Sequence, residues 1–236
     1  MDIFWVLVGA SYLLSFIVQQ ALHATQRKWG AVPNSAGMTG AGTVVAILEA
    51  NAMTNVAVQP VRGRLTDHYD PRNQTISLSE SVFAQRSVAA MAIAAHETGH
   101  SIQDHVGYGF LKFRTALAPV VNAASRFGLP AAILGVFVGI PELVQLGVLG
   151  YVGALGFQFL TLPVEFDASK RALAEIDRLH LVTDEERRGV RSVLRAAAMT
   201  YVAGAASAAV YILYIAMVAG RFLLRRPPLA PPPRLP

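Results

Sequence analysis

The stretch from Phe127 to Val164, FGLPAAILGVFVGIPELVQLGVLGYVGALGFQFLTLPV, contains one charged residue, Glu142, beside Pro141. A helix needs about 20 apolar residues to cross roughly 30 Å of hydrocarbon. This run is too long for one crossing and suits two, turned at Ile140-Pro141-Glu142. Because Phe127–Ile140 alone is short, the first of the pair is expected to begin earlier and to occupy 116–140. The second is expected over 143–164.

Two further stretches have the same character. Ile3–Leu22 is uncharged and long enough to span. It has no Lys or Arg before its apolar run and no small-x-small site near Ala21–Ala24, so it reads as a retained membrane helix over 3–22 and not as a signal peptide. Ala196–Gly220 supplies a fourth span. Composition agrees: hydrophobic residues make up 53% of the chain and charged residues 15%, against roughly 25% charged in a soluble domain. The net charge of +5 fits an anionic membrane surface, and no aromatic-basic nucleic-acid module accompanies it. The chain has no cysteine, which excludes disulfides, thiolate metal sites and cysteine nucleophiles.

Between the spans lie polar segments. In 23–115, Thr43–Asn51 has helical spacing and Val56–Val61 reads as a strand. Leu65–Tyr69 and Thr75–Leu78, joined by Asp70-Pro71-Arg72-Asn73, read as a hairpin. Ser87 is placed to cap a helix over 88–104. The segment 165–195 is helical, with Glu165–Leu179 starting after Pro163. Thr183-Asp184-Glu185-Glu186 forms a capping box that opens a helix running into the last span. The Pro-rich tail, 226–236, is expected to be disordered. The fold class is therefore a mainly α integral membrane protein with about four transmembrane helices and a small α+β domain carrying a short β-hairpin.

Chemistry concentrates in His96-Glu97-Thr98-Gly99-His100. Residues four apart on a helix lie about 40° apart on one face, so both imidazoles can reach one metal ion. Glu97, beside the first of them, is placed to take a proton from water on that metal, the HExxH arrangement of zinc hydrolases. The competing explanation is two histidines solvated or ion-paired on a polar face. The preceding Val88–Ala95 run is apolar and argues against it, because histidines buried on such a helix need partners.

A zinc hydrolase usually takes three protein ligands and leaves one position open. A histidine ten residues after His96 would complete one known pattern, but that position is Val106, and His105 points elsewhere. Glu165 is the preferred candidate and Asp167 its rival. An ordinary explanation for Glu165 also stands, since acidic residues favour helix N-termini. His68, Tyr69 and Tyr108 are candidates for stabilising a transition-state oxyanion. For His68 a turn-stabilising role competes.

At these residues the chain resembles the bacterial YugP-like membrane neutral zinc metallopeptidases. The matching blocks are Gly37–Ala41, Leu65–Arg72, Leu78-Ser79-Glu80, Ala94–Gln103, Gly107-Tyr108, Leu162–Phe166 and Ala197–Ala203. They cover nearly the whole chain except the tail. The resemblance implies a multi-span membrane peptidase with one Zn2+ per chain, held by His96, His100 and Glu165. A more distant similarity to membrane gluzincins makes the position four residues after the ligand glutamate a support for a ligand histidine. That residue is an aspartate there and Ser169 here. Ser169, with Asp167, is thus a candidate partner of the ligands.

The expected function is hydrolysis of peptide bonds in membrane-associated or unfolded proteins. The competing expectation is a scaffold or chaperone-like membrane protein with a structural metal or none; a general base such as Glu97 would have no use there. Lys and Arg number eight over 23–115 and seven over 165–195, with none before Ile3 or in the Ile140–Glu142 turn. The positive-inside rule then puts the active site on the cytoplasmic side of the bacterial inner membrane.

Overall fold

The computed structural model describes residues 3–224, and the 226–236 tail lies outside them. Among the described residues four helices are long and apolar enough to cross a membrane. They are α1 (Ile3–Gly30), α5 (Gly109–Val138), α6 (Pro141–Arg178) and α7 (Asp184–Leu224). α1 packs on α7, α7 on α6 and α6 on α5. Side chains that would be costly to expose to water face outward, including Phe137 at 84% and Leu149 at 69% exposure. Such surface is what hydrocarbon covers. α5 and α6 meet where Gly128 and Gly147 let the backbones touch: a Cβ on Gly147 would sit 2.4 Å from the Gly128 carbonyl oxygen. Small residues at this contact are the usual means of close helix packing in membranes.

The polar domain is threaded between α1 and α5. It comprises α2 (Gly40–Ala50), β1 (Ala57–Val61), β2 (His68–Asp70), β3 (Thr75–Ser79), α3 (Glu80–Phe83) and α4 (Val88–His105). The expected hairpin is present as β2 and β3, antiparallel with His68 opposite Ser77. β1 adds to the other edge of β3 in parallel, giving the order β1-β3-β2. Ile76 and Leu78 are fully buried and share a core with Val44 and Ile47 of α2 and Met91 of α4. β2 starts later than the Leu65 expected, because Gly63 (φ 110°) and Leu65 (φ 60°) leave the β region. Asp70 then closes the turn by accepting from the Arg72 N–H and the Asn73 amide. Ser87 caps α4 by accepting from the Ala90 N–H. The capping box at α7 also forms: Thr183 N–H donates to Glu186 at 2.8 Å and Glu186 N–H to Thr183 Oγ1 at 3.3 Å.

Three boundaries differ from expectation. α1 continues past Leu22 to Gly30. α5 begins at Gly109, not at 116, because Gly109–Thr115 is helical although it carries the charged Lys112 and Arg114. Apolar composition marks where lipid begins, not where a helix begins. The turn into α6 uses Gly139 in the left-handed conformation (φ 71°), with Pro141 opening the helix. The third correction matters most: α6 runs straight through Pro163, so Glu165 lies inside a long helix and not in a first turn. Proline removes one helical hydrogen bond and costs about 3 kcal/mol in a helix interior. Here tertiary packing outweighs it, with Val164, Glu165 and Ala168 buried. Gln103 donates to the Val164 carbonyl at 2.8 Å and the Tyr108 hydroxyl reaches the Pro163 carbonyl at 3.5 Å. The dipole explanation for Glu165 is thereby removed.

Candidate metal centre

α4 and α6 cross at Gly99. A Cβ there would sit 2.4 Å from the Ala168 carbonyl oxygen, so only glycine allows this approach. The approach brings α6 close enough for Glu165 to lie between the two imidazoles of α4. His96 Nε2 is 3.2 Å from Glu165 Oε2, and His100 Nε2 is 3.6 Å from the same oxygen. The candidate ligand atoms of His96, His100 and Glu165 all lie within 4.8 Å of one another.

The protonation of the rings follows from their outer partners. Gln103, fully buried, donates its amide to the Val164 carbonyl at 2.8 Å and to Asp167 Oδ2 at 2.9 Å. Its oxygen must therefore face His100 Nδ1, 3.0 Å away, and accept from it. The proton on Nδ1 leaves the His100 Nε2 lone pair turned inward. His96 Nδ1 pairs with Ser169 Oγ at 3.2 Å, which permits the same tautomer. Two nitrogen lone pairs and a carboxylate oxygen then converge on one region. Glu165 Oε1 is buried without a hydrogen bond, although the Arg114 guanidinium lies 3.1 Å away. In that tautomer the three electron-rich atoms share no proton and repel one another, and a divalent cation suits them.

Glu97 lines the same cleft of about 290 Å³. Burial pushes its carboxyl up to about 7; Glu165 and Asp67 add to this, while His96 and His68 pull it back. The cleft is walled by β2, by Leu111, Arg114 and Thr115 of α5, and by Tyr201 of α7. His68 and Tyr69 are part of that wall. His68 Nδ1 lies 2.7 Å from the Thr66 carbonyl, which directs its proton there and leaves Nε2 free. The Tyr69 hydroxyl donates to Asp104 at 2.9 Å, so its proton is already engaged. Tyr108 does not line the cleft. It lies against Pro163 and beneath Arg171, whose guanidinium is 5.9 Å from its ring. Asp167 is likewise outside the cluster and holds Gln103 and Arg171. Sequence reasoning missed Gln103, Arg114 and Tyr201. Gln103, three residues after His100 on the same helix, had a local signal; Arg114 and Tyr201 arrive from other helices and had none.

Fold and site together define a helical membrane protein with a buried two-histidine, one-carboxylate cluster of metal-centre composition. Residues 4–220 match the family described as "Putative neutral zinc metallopeptidase", and the chain belongs to that family. Among its relatives is the "Putative membrane protease YugP" of Bacillus subtilis (strain 168), 41% identical over 216 residues, which cover 92% of this chain and 96% of that protein. No solved structure matches.

Proposed function

We propose that the chain is a zinc-dependent endopeptidase of the HExxH type, acting on membrane-associated or unfolded proteins at the membrane surface. The observation that carries this is the convergence of His96 Nε2, His100 Nε2 and Glu165 Oε2, with Glu97 beside them in one cleft. In this proposal His96, His100 and Glu165 hold one Zn2+. When bound, zinc supplies a Lewis acid that polarises a peptide carbonyl and acidifies water. Glu97 takes the proton from the attacking water and passes it to the leaving nitrogen. Ser169 and Gln103 orient the rings, and Arg114 neutralises the outer oxygen of Glu165. His68, with a free Nε2 in the cleft wall, is the candidate donor to the oxyanion when protonated.

Among the described residues β2 pairs only with β3 and forms an edge of the sheet, and its His68 and Tyr69 line the cleft. An extended peptide can add to that edge by main-chain hydrogen bonds and present a carbonyl to the site. α5 and the part of α6 that precedes Glu165 lie between His96 and Glu165 in sequence, and two crossings there would return both residues to one side of a bilayer. The Lys/Arg distribution favours the cytoplasmic side. Reporter fusions after Arg64 and after Arg188 should both give a cytoplasmic signal; an external signal at Arg64 overturns the orientation. Substituting His96, His100 or Glu165 by Ala should remove zinc and peptide cleavage together. Full zinc occupancy and turnover in Glu165→Ala would remove it as third ligand.

A further inference from the structure

A second groove, of about 540 Å³, lies beside the candidate active site and is lined by Ala89, Ala90 and Ile93 of α4. Asp67 borders both spaces. Ala90 and Ile93 line the second, and Glu97 and His100 line the first. Spacings of three, four and three residues place these four on one stripe of the helix. From Glu97 back to Ala90 the helix rises about 10 Å. An extended peptide covers that length in about three residues. The floor at Ala89 and Ala90 is small, which leaves room for a main chain above it.

The walls are cationic. Arg27, from the end of α1, and Arg64, from the loop before β2, both line the groove and are exposed. Neither takes part in an ion pair among the described residues. Asp67, the carboxylate in the wall, accepts from the Ser79 N–H at 2.7 Å and the Ser79 hydroxyl at 3.2 Å. It is held by Ser79, the last residue of β3, and forms no ion pair with either arginine.

We propose that this groove is an extension of the substrate site that selects peptides carrying Asp or Glu three to four residues to one side of the cleaved bond, with Arg27 and Arg64 as the specificity residues. The word "cleaved" rests on the peptidase reading above. A lipid headgroup would also meet arginines near the end of α1. Peptide is favoured because the groove shares Asp67 and one face of α4 with the catalytic cleft.

The test uses the full chain carrying Glu97→Gln, loaded with zinc, in phosphatidylcholine nanodiscs. Two labelled Gly/Ser/Ala dodecamers are titrated by fluorescence anisotropy, one with an Asp pair near one end and one with a Lys pair there. The Asp peptide should bind about five-fold tighter, the size expected of two exposed ion pairs. Arg27→Gln with Arg64→Gln should abolish the preference, and Arg27→Glu with Arg64→Glu should reverse it, with zinc content unchanged. Equal binding of the two peptides, or a preference indifferent to these changes, overturns the proposal. So does a charge swap that lowers retention of phosphatidylglycerol and leaves peptide affinity alone. In parallel, wild-type protein is given a degenerate peptide library, and its cut sites should carry acidic residues on one side. Charge-dependent binding with no cutting of any peptide supports the groove and refutes the peptidase reading, so the two failures are separable.

Discussion

Gly99→Ala places one methyl group where α4 meets α6. Its Cβ would lie 2.4 Å from the Ala168 carbonyl oxygen and 3.1 and 3.2 Å from two further Ala168 backbone atoms. Ordinary contact begins near 3.4 Å, and the obstructing atoms are backbone, so no side chain can swing aside. The helices must separate by about 1 Å. Glu165 lies one turn before Ala168 and moves with it. Metal–ligand distances tolerate only about ±0.2 Å, so a shift of this size disrupts the ligand set. A misplacement near 1 Å costs on the order of 10²-fold in rate. The variant should hold zinc at least about ten-fold more weakly and lose about 10²-fold in peptide cleavage. Zinc is measured by competition with a chromogenic chelator and cleavage with a quenched peptide. Gly156→Ala is the control: it lies on the same helix as Glu165, and a Cβ there meets nothing within 4 Å. If Gly99→Ala matches Gly156→Ala in zinc affinity and turnover, the packing argument is refuted.

Ser169→Ala and Gln103→Leu remove the partners of His96 Nδ1 and His100 Nδ1, and each should weaken zinc about 10–100-fold in the same competition assay. Arg114→Ala withdraws the guanidinium 3.1 Å from buried Glu165 Oε1; zinc affinity should fall, with partial recovery in Arg114→Lys. Glu186 accepts from Ser35 N–H at 2.6 Å, Ser35 Oγ at 2.7 Å and Thr183 N–H at 2.8 Å. Burial alone would raise its pKa, but these hydrogen bonds outweigh burial and hold it below the ordinary carboxylate value. Its stabilisation is thus present above about pH 4.3, the unfolded value, and is lost as pH falls through the lower folded one. Glu186→Gln should lower the thermal midpoint at pH 7 and cost progressively less as the solution is acidified below that value.

Much of this architecture was legible because lipid sets a length scale. The apolar run Phe127–Val164 reads as a pair of crossings since one helix cannot use so many residues. Thr183–Glu186 and Ser87 were legible as caps because capping is local chemistry. Pro163 misled for the same reason: its local cost is readable, and the contacts from Gln103 and Tyr108 on the adjoining carbonyls are not. Glu165 thus lies beside the two histidines, in local surroundings that the sequence did not suggest. The pairing of β1 with β3, and the arrival of Arg114 and Tyr201 at the cleft, depend on segments far apart in sequence and leave no periodic trace. Gly99 was visible only as a position between motif residues. Its role appears once Ala168 is seen against it.

The central claim is that Glu97 moves protons at a zinc site built by other residues. It is tested most directly by Glu97→Gln, comparing zinc content and peptide cleavage with wild type in the same preparation. The account predicts one zinc per chain in both proteins and a loss of cleavage of roughly 10²–10⁴-fold in the variant. Undiminished cleavage in Glu97→Gln, or wild-type protein that cleaves peptides without zinc, would contradict it.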